Sequence, residues 1–212
     1  MKITKLVHSC LLVEMPEPVN RTVLFDPGQM STVDVSTLQY LDDIVITHEH
    51  GDHIDVAVVK QLVQKFPEVR ILTTGPVTEQ LKGQGITATT EPPEGMELFT
   101  SPHENVQPLF PVPEQIGVHY LGKLSHPGDS LGFSEAKTVL ALPVQAPWQK
   151  GTPVDAYIKA IELKPKYVLP IHDWHWRDEA RESMYNNLEQ AFAKEGITFL
   201  KLKNGEPVVL DI

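Results

Sequence analysis

The chain has 212 residues, 41% of them hydrophobic, and we expect a single domain over residues 1–212 because no linker or change of composition divides it. The formal net charge of −10 argues against a nucleic-acid-binding surface, which is normally basic. The one cysteine, Cys10, excludes an intrachain disulfide and a thiolate metal cluster, so any metal ion must be held by nitrogen and oxygen.

The apolar runs of the chain are short. The run near the amino end, residues 3–7, is too short for a signal peptide. No stretch approaches the roughly 18 apolar residues of a membrane span. We therefore expect a cytoplasmic protein that is not inserted in a membrane and that acts on a small molecule.

Three short strands are predicted at the start of the chain, over residues 3–7, 10–15 and 22–25. His8-Ser9 separates the first two, and a proline-rich turn, Pro16-Glu17-Pro18, separates the next pair. This pattern favours an antiparallel start to a sheet. A further buried strand is predicted over residues 44–47.

The segment after that buried strand, Thr47-His48-Glu49-His50-Gly51-Asp52-His53, contains four potential metal ligands within six positions. Imidazole nitrogens and a carboxylate suit divalent ions such as zinc, iron or cobalt. His48 and His50 are spaced to converge on one ion, and Asp52 and His53 are available to a second. Chance clustering or helix capping is the alternative, but it would leave several polar groups unsatisfied at the end of a buried strand. Two adjacent metal ions are the prediction.

The pattern His-x-His-x-Asp-His after an apolar strand resembles the signature of the metallo-β-lactamase fold superfamily. The resemblance implies an α/β fold, the four-layer αββα sandwich, with the metal site at one edge between the sheets. It also implies three further ligands: a histidine about fifty residues on, an aspartate after a glycine and a late histidine after a short strand. The candidates are His103, Asp129 and His172.

In this family-based assignment, one ion is bound by His48, His50 and His103. The other is bound by Asp52, His53 and His172, and Asp129 bridges the two. Zinc is the expected metal, with manganese or iron as alternatives. Hydroxide held between two such ions would attack a lactone, ester or related bond, and Asp52 is a candidate catalytic group that accepts its proton.

The superfamily branch that the chain resembles is the one containing L-ascorbate-6-phosphate lactonase, in which a histidine is common at the position of His8. His8 either faces the site or is a hydrogen-bonded turn residue. Ile54-Asp55 replaces a glycine common in thiolesterases resembling glyoxalase II and in tRNA 3′-processing nucleases. A phosphodiesterase, a thioesterase, a di-iron oxidoreductase and a non-catalytic metal-binding protein remain alternatives.

Other site assignments follow from the resemblance or from the positions of the residues in the sequence. Asp26 is expected to hold the ligand loop by hydrogen bonds without binding metal. His119 and His126 compete with His103 as the third ligand, but His119 is predicted to pack inside a strand and His126 only to flank Asp129. Pocket-lining roles for Trp148, Trp174 and Trp176 compete with simple packing.

The remaining elements alternate between strands and helices. Asp55 is a predicted N-cap for the first helix, and residues 102–113 form a proline-rich loop or lid. Asn204-Gly205 predicts a hairpin between strands 197–202 and 207–210. The other predicted strands are 70–73, 86–89, 96–100, 116–121, 138–142 and 166–171, and the predicted helices are 55–66, 76–82, 153–163 and 178–195.

Overall fold

A computed structural model describes residues 1–146, 148 and 150–212, which form two compact units. The first unit contains residues 1–94 and 202–212, and the second contains residues 95–201. The strands are β1 Lys2–Lys5, β2 Leu11–Met15, β3 Arg21–Phe25, β4 Asp43–Val45, β5 Arg70–Leu72, β6 Met96–Phe99, β7 Gly117–Tyr120, β8 Leu124–His126, β9 Val139–Pro143, β10 Tyr167–Ile171, β11 Thr198–Phe199 and β12 Pro207–Val209. The helices are α1 Val56–Lys65, α2 Gly75–Lys82, α3 Pro153–Leu163 and α4 Asp178–Lys194.

The first unit is built on a six-stranded sheet in the order β12-β1-β2-β3-β4-β5. The strands β1, β2 and β3 pair antiparallel, as predicted, whereas β3, β4 and β5 run parallel. It follows that β1, β3 and β4 point in the same direction and that their carboxyl ends lie at one edge of this sheet.

Helix α1 begins as the sequence predicts. The side chain of Asp55 accepts hydrogen bonds from the backbone nitrogens of Ala57 and Val58, which have no partner within the helix. Val59 and Leu62 are fully buried and join the core cluster of the first unit. This apolar face therefore sets the position of the segment that follows the predicted ligand loop.

The second unit is built on a six-stranded sheet in the order β11-β10-β9-β8-β7-β6. The strands β6, β7 and β8 pair antiparallel, and β8, β9, β10 and β11 pair parallel. All five residues of β9 are buried, as is usual for a strand inside a parallel region. Because β6, β8 and β10 run in the same direction, their carboxyl ends share one edge.

The helices of the second unit agree closely with the sequence. Helix α3 has the predicted bounds because Thr152 and Asp155 form a reciprocal capping box at its start. In this helix Ala156 and Ala160 are buried, while Ile158 is 54% exposed. Helix α4 buries Tyr185, Leu188 and Phe192.

Two predictions about strands are wrong, and one strand was missed. The turn at Asn204-Gly205 does not close a hairpin: β11 pairs parallel with β10 in the second sheet, and β12 pairs antiparallel with β1 in the first. Residues 86–89 form only an isolated bridge from Thr89 to Leu72. The strand β8 was not predicted, because its three residues carry too little pattern.

The segment from Pro143 to Trp148 contains the first of the three candidate pocket-lining tryptophans. Pro143 is the last residue of β9, Trp148 is buried, and Pro147 lies outside the described residues. Among the described residues, every helix is too short or too polar to cross a membrane.

Candidate metal centre

The predicted ligand loop of the first unit follows the carboxyl end of β4. The segment after β3 holds it from the side, with Gln29 N donating to Gly51 O at 2.7 Å and Asp55 N to Pro27 O at 2.8 Å. A Cβ atom at Gly28 would lie 1.9 Å from the backbone oxygen of Asp52. Only glycine permits this approach, so the loop conformation depends on Asp26-Pro27-Gly28.

Asp26 has the role that the sequence predicts, because its buried carboxylate organises the ligand loop. It accepts hydrogen bonds from Thr47 N at 2.8 Å, Thr47 Oγ1 at 3.0 Å and His53 Nδ1 at 2.8 Å. A carboxylate only accepts, so the His53 proton lies on Nδ1 and the Nε2 lone pair remains for a ligand. Histidines that bind metal ions in proteins commonly have this carboxylate partner.

The other residues of the loop cluster around the same point. His48 Nε2 lies 3.1 Å from His50 Nδ1, and His53 Nε2 lies 3.8 Å from Asp52 Oδ2. Thr47 Oγ1 lies 3.0 Å from His48 Nδ1, so the hydroxyl can accept from that nitrogen while donating to Asp26. The four residues of the sequence motif are therefore brought together in the first unit.

His8 joins this cluster from the turn after β1. Its Nε2 lies 3.0 Å from Asp52 Oδ2, and its side chain is buried. Ligand atoms of His8, Asp52 and His53 lie within 4.8 Å of one another. Because β1, β3 and β4 end at the same sheet edge, this topology brings the turn histidine to the ligand loop.

The second unit brings together the other three candidates. His103, Asp129 and His172 follow β6, β8 and β10, which end at the same edge of the sheet. Asp129 Oδ2 lies 3.7 Å from His103 Nε2 and 3.0 Å from His172 Nε2. Gly128 has φ of +61°, a left-handed conformation that glycine adopts without strain, and it turns the chain at Asp129.

The tautomers of these two histidines can be inferred from their other contacts. His103 Nδ1 lies 2.6 Å from Glu104 O, and His172 Nδ1 lies 2.7 Å from Gln145 O. A carbonyl oxygen only accepts, so both Nδ1 atoms carry a proton, and in the neutral form of each ring Nε2 presents a lone pair. These lone pairs face the carboxylate of Asp129, and a proton or a cation is needed to make such contacts favourable. The donor set therefore fits a divalent metal ion.

The two rival histidines have other roles. His119 lies in β7, stacks on Phe99 with ring centroids 4.2 Å apart and has Nδ1 2.9 Å from Ser125 Oγ. Burial lowers the pKa of His119, although the contact of its Nε2 with the accepting carboxylate of Glu135 acts in the opposite direction. His126 ends β8, and its Nδ1 accepts from Gly128 N at 3.3 Å. His103, by comparison, has its Nε2 3.7 Å from Asp129 Oδ2.

The tryptophans differ in their surroundings. The Trp148 ring centroid lies 6.1 Å from that of His103 and 5.0 Å from that of His172, so this side chain packs against both histidines. Trp176 packs on the core of the second unit. Trp174 stacks on His175 and is 44% exposed.

One cluster was not predicted from the sequence. Asp173 follows His172 and is buried. Its carboxylate accepts a hydrogen bond from Tyr185 Oη and forms an ion pair with Arg181, whose Nε lies 3.1 Å away. Burial and the nearby Asp173 carboxylate hold the pKa of Tyr185 well above its ordinary value. The only sequence signal was the unusual placement of an acidic residue directly after a predicted ligand.

The fold and these groups define an α/β protein with two groups of side chains that could hold a metal ion. Residues 2–172 match the family described as the beta-lactamase superfamily domain. The chain belongs to this superfamily.

The similarity to known proteins extends over nearly the whole length of this chain. Protein Rv0786c of Mycobacterium tuberculosis is 31% identical over 201 residues, which are 90% of this chain and 92% of that protein. Igni18, a metallo hydrolase from Ignicoccus hospitalis, is 19% identical with a TM-score of 0.72, covering 100% of this chain and 98% of its own. An isothiocyanate hydrolase from Delia radicum gut bacteria is 15% identical with a TM-score of 0.70, covering 99% of each chain. These two structures confirm the fold class.

Proposed function

We propose that this chain is a metal-dependent hydrolase that cleaves a lactone, ester or related bond of a small cytoplasmic metabolite. The observation that carries the proposal is the contact of Asp129 with the Nε2 atoms of His103 and His172, whose protons lie on Nδ1. Membership of the superfamily supports the same conclusion.

The proposed ligands are those that the family resemblance implies. One ion would be held by His48, His50 and His103, the other by Asp52, His53 and His172, and Asp129 would be shared. Joining the two ligand sets in one dinuclear centre is part of the proposal and rests on the family. Zinc is the proposed metal, and manganese and iron are the alternatives, because all ligands are nitrogen or oxygen.

Divalent ions in this centre would bring the pKa of water towards neutrality and stabilise the negative charge that develops on the cleaved group. The chain itself supplies an acceptor for the released proton. Asp52 is 23% exposed in its side chain and lies 3.0 Å from His8 Nε2, so the two groups can share that proton. Asp26, in turn, keeps His53 oriented.

The proposed substrate class follows the lactonase-like branch. The contact between His8 and Asp52 supports this choice, because a histidine at this position is common in that branch. The similar protein from Delia radicum gut bacteria is named an isothiocyanate hydrolase, so isothiocyanates belong among the substrates to test. Thioesters and phosphodiesters are the other hydrolytic alternatives, followed by a redox reaction or metal binding without catalysis.

The proposal is tested by metal analysis of the purified protein and by assays on lactones, esters, isothiocyanates, thioesters and phosphodiesters. We expect bound divalent metal and turnover of a lactone or ester that stops after chelation and returns when metal is added. The matched control is the Asp129→Ala variant, which should retain the fold but lose both metal and activity. Hydrolysis that continues in metal-free protein would contradict the proposal.

A further inference from the structure

The backbone at His172 adopts a conformation that residues other than glycine rarely adopt. Its φ is +57°, in the left-handed region, although the residue is not glycine. Such a conformation persists when the surrounding structure holds it. The hydrogen bond from His172 Nδ1 to Gln145 O fixes the ring but not the turn that follows.

The turn is held through Asp173. Its buried carboxylate accepts a hydrogen bond from Tyr185 Oη and forms an ion pair with Arg181, with Oδ2 3.1 Å from Nε. Its backbone oxygen accepts from Arg181 Nη2 at 3.4 Å and from Trp176 N at 3.2 Å. Arg181 Nη2 also donates to Trp176 O at 3.0 Å. Arg181 therefore contacts both the main chain and the side chain of Asp173, and Tyr185 contacts the side chain.

These donors come from a rigid part of the second unit. Tyr185 and Arg181 lie on α4, whose buried residues Tyr185, Leu188 and Phe192 belong to the core. The Tyr185 ring packs against Phe199 with centroids 5.4 Å apart. Charged hydrogen bonds to a buried carboxylate are stronger than neutral ones, so α4 holds the turn firmly.

We propose that Tyr185 and Arg181 are positioning residues that act through Asp173 to hold His172 in the orientation required to bind metal. This inference rests on the proposed function, because it assumes that His172 is a metal ligand. The alternative is that the cluster only stabilises the fold. In that case its loss would lower the stability of the metal-free protein and leave the metal affinity of the folded protein unchanged.

The test compares Tyr185→Phe with a matched control, Tyr157→Phe. Tyr157 lies in the same unit, donates from its hydroxyl to Glu195 Oε1 at 3.2 Å and packs on Phe192 with ring centroids 5.1 Å apart. Both changes remove one hydroxyl and keep the ring. Zinc ion is titrated against a competing chelator into each metal-free protein, and thermal unfolding is measured in parallel.

We expect Tyr185→Phe to weaken zinc binding by about tenfold, the lower end of the usual effect of residues that orient metal ligands, and to speed zinc release. Tyr157→Phe should bind zinc as the unchanged protein does. Equal zinc affinity of Tyr185→Phe and the unchanged protein would overturn the inference. If Tyr185→Phe does not fold, Arg181→Lys provides the same comparison, and unchanged zinc affinity in that variant overturns the inference as well.

A failure of the proposed function is distinguishable in the same experiment. If the unchanged protein binds no zinc, manganese or iron, or if His172→Ala binds zinc normally, the ligand assignment is wrong. If His172→Ala loses affinity and Tyr185→Phe does not, the ligand assignment stands and only the positioning role is rejected.

Discussion

The ligand sets of the two units use different partners to orient their histidines. In the first unit, the Nδ1 proton of His53 is donated to a buried carboxylate, that of Asp26. In the second unit, His103 and His172 donate to backbone carbonyls. A carboxylate partner adds negative charge and makes the imidazole a stronger ligand, whereas a carbonyl mainly fixes its tautomer. A protein can therefore obtain the same histidine tautomer with or without an additional buried charge.

The two sets also differ in how the chain assembles them. Four candidates of the first set come from one loop after β4, between His48 and His53. The three candidates of the second set follow three different strands and meet only because β6, β8 and β10 end at one edge. The second set therefore depends on correct pairing of an entire sheet.

The largest effect is expected from removing a ligand of the second set. His103→Ala should reduce metal affinity at least a hundredfold, because one nitrogen donor is lost. His119→Ala should leave metal content unchanged and lower the free energy of unfolding by about 1–3 kcal/mol, since it empties a buried position and removes a hydrogen bond. Metal analysis and urea unfolding measure both effects. If His119→Ala loses metal and His103→Ala retains it, His119 and not His103 is the ligand.

A smaller effect is expected from neutralising the carboxylate partner in the first set. Asp26→Asn keeps the shape of the side chain but removes its charge and one acceptor, so His53 and the loop lose part of their support. We expect metal affinity to fall about 10- to 100-fold. Asp34→Asn is a suitable control, because Asp34 is exposed and its carboxylate accepts hydrogen bonds from Ser36 N and Ser36 Oγ, two residues along the chain. Equal metal affinity in the two variants, measured by competition with a chelator, would show that the charge of Asp26 is not used.

The smallest effect concerns a histidine that belongs to neither ligand set. Burial lowers the pKa of His119 below its usual value of 6.5, so the unfolded chain takes up a proton more readily than the folded protein. The contribution of His119 to stability is present above that value and is lost as the pH falls through it towards the folded pKa. His119→Asn should therefore lose less stability than the unchanged protein when the metal-free forms are compared by urea unfolding at pH 7.5 and 5.5. If the two proteins differ in free energy of unfolding by the same amount at both pH values, His119 does not have a lowered pKa in the folded protein.

Local patterns predicted the parts of the molecule that are determined locally. The cap at Asp55 and the bounds of α3 follow from side-chain hydrogen bonds within a few residues. The motif from His48 to His53 indicated metal binding for the same reason: its chemistry is contiguous. The expectation that Asp26 supports the ligand loop came from the family resemblance, and the hydrogen bonds that Asp26 accepts from Thr47 and His53 agree with that expectation.

Contacts between distant segments were harder to predict. His8 and Asp52 are 44 residues apart, and no local pattern reveals that β1 and β4 end at the same sheet edge. The turn at Asn204-Gly205 was recognised, but turn chemistry alone does not determine which strands pair. The contacts of Asp173 were missed because both of its side-chain donors are provided by a helix that begins after a separate loop.

Strand β12 lies at the edge of the first sheet, next to β1. The short strand β12 covers the outer side of β1, and Leu210 N and Met1 O are joined by a hydrogen bond of 2.8 Å. Trimming of these final residues by a protease would uncover the backbone donors and acceptors of β1. An uncovered strand of this kind is a template for self-association, so a few residues far from the chemistry help to keep the protein from aggregating.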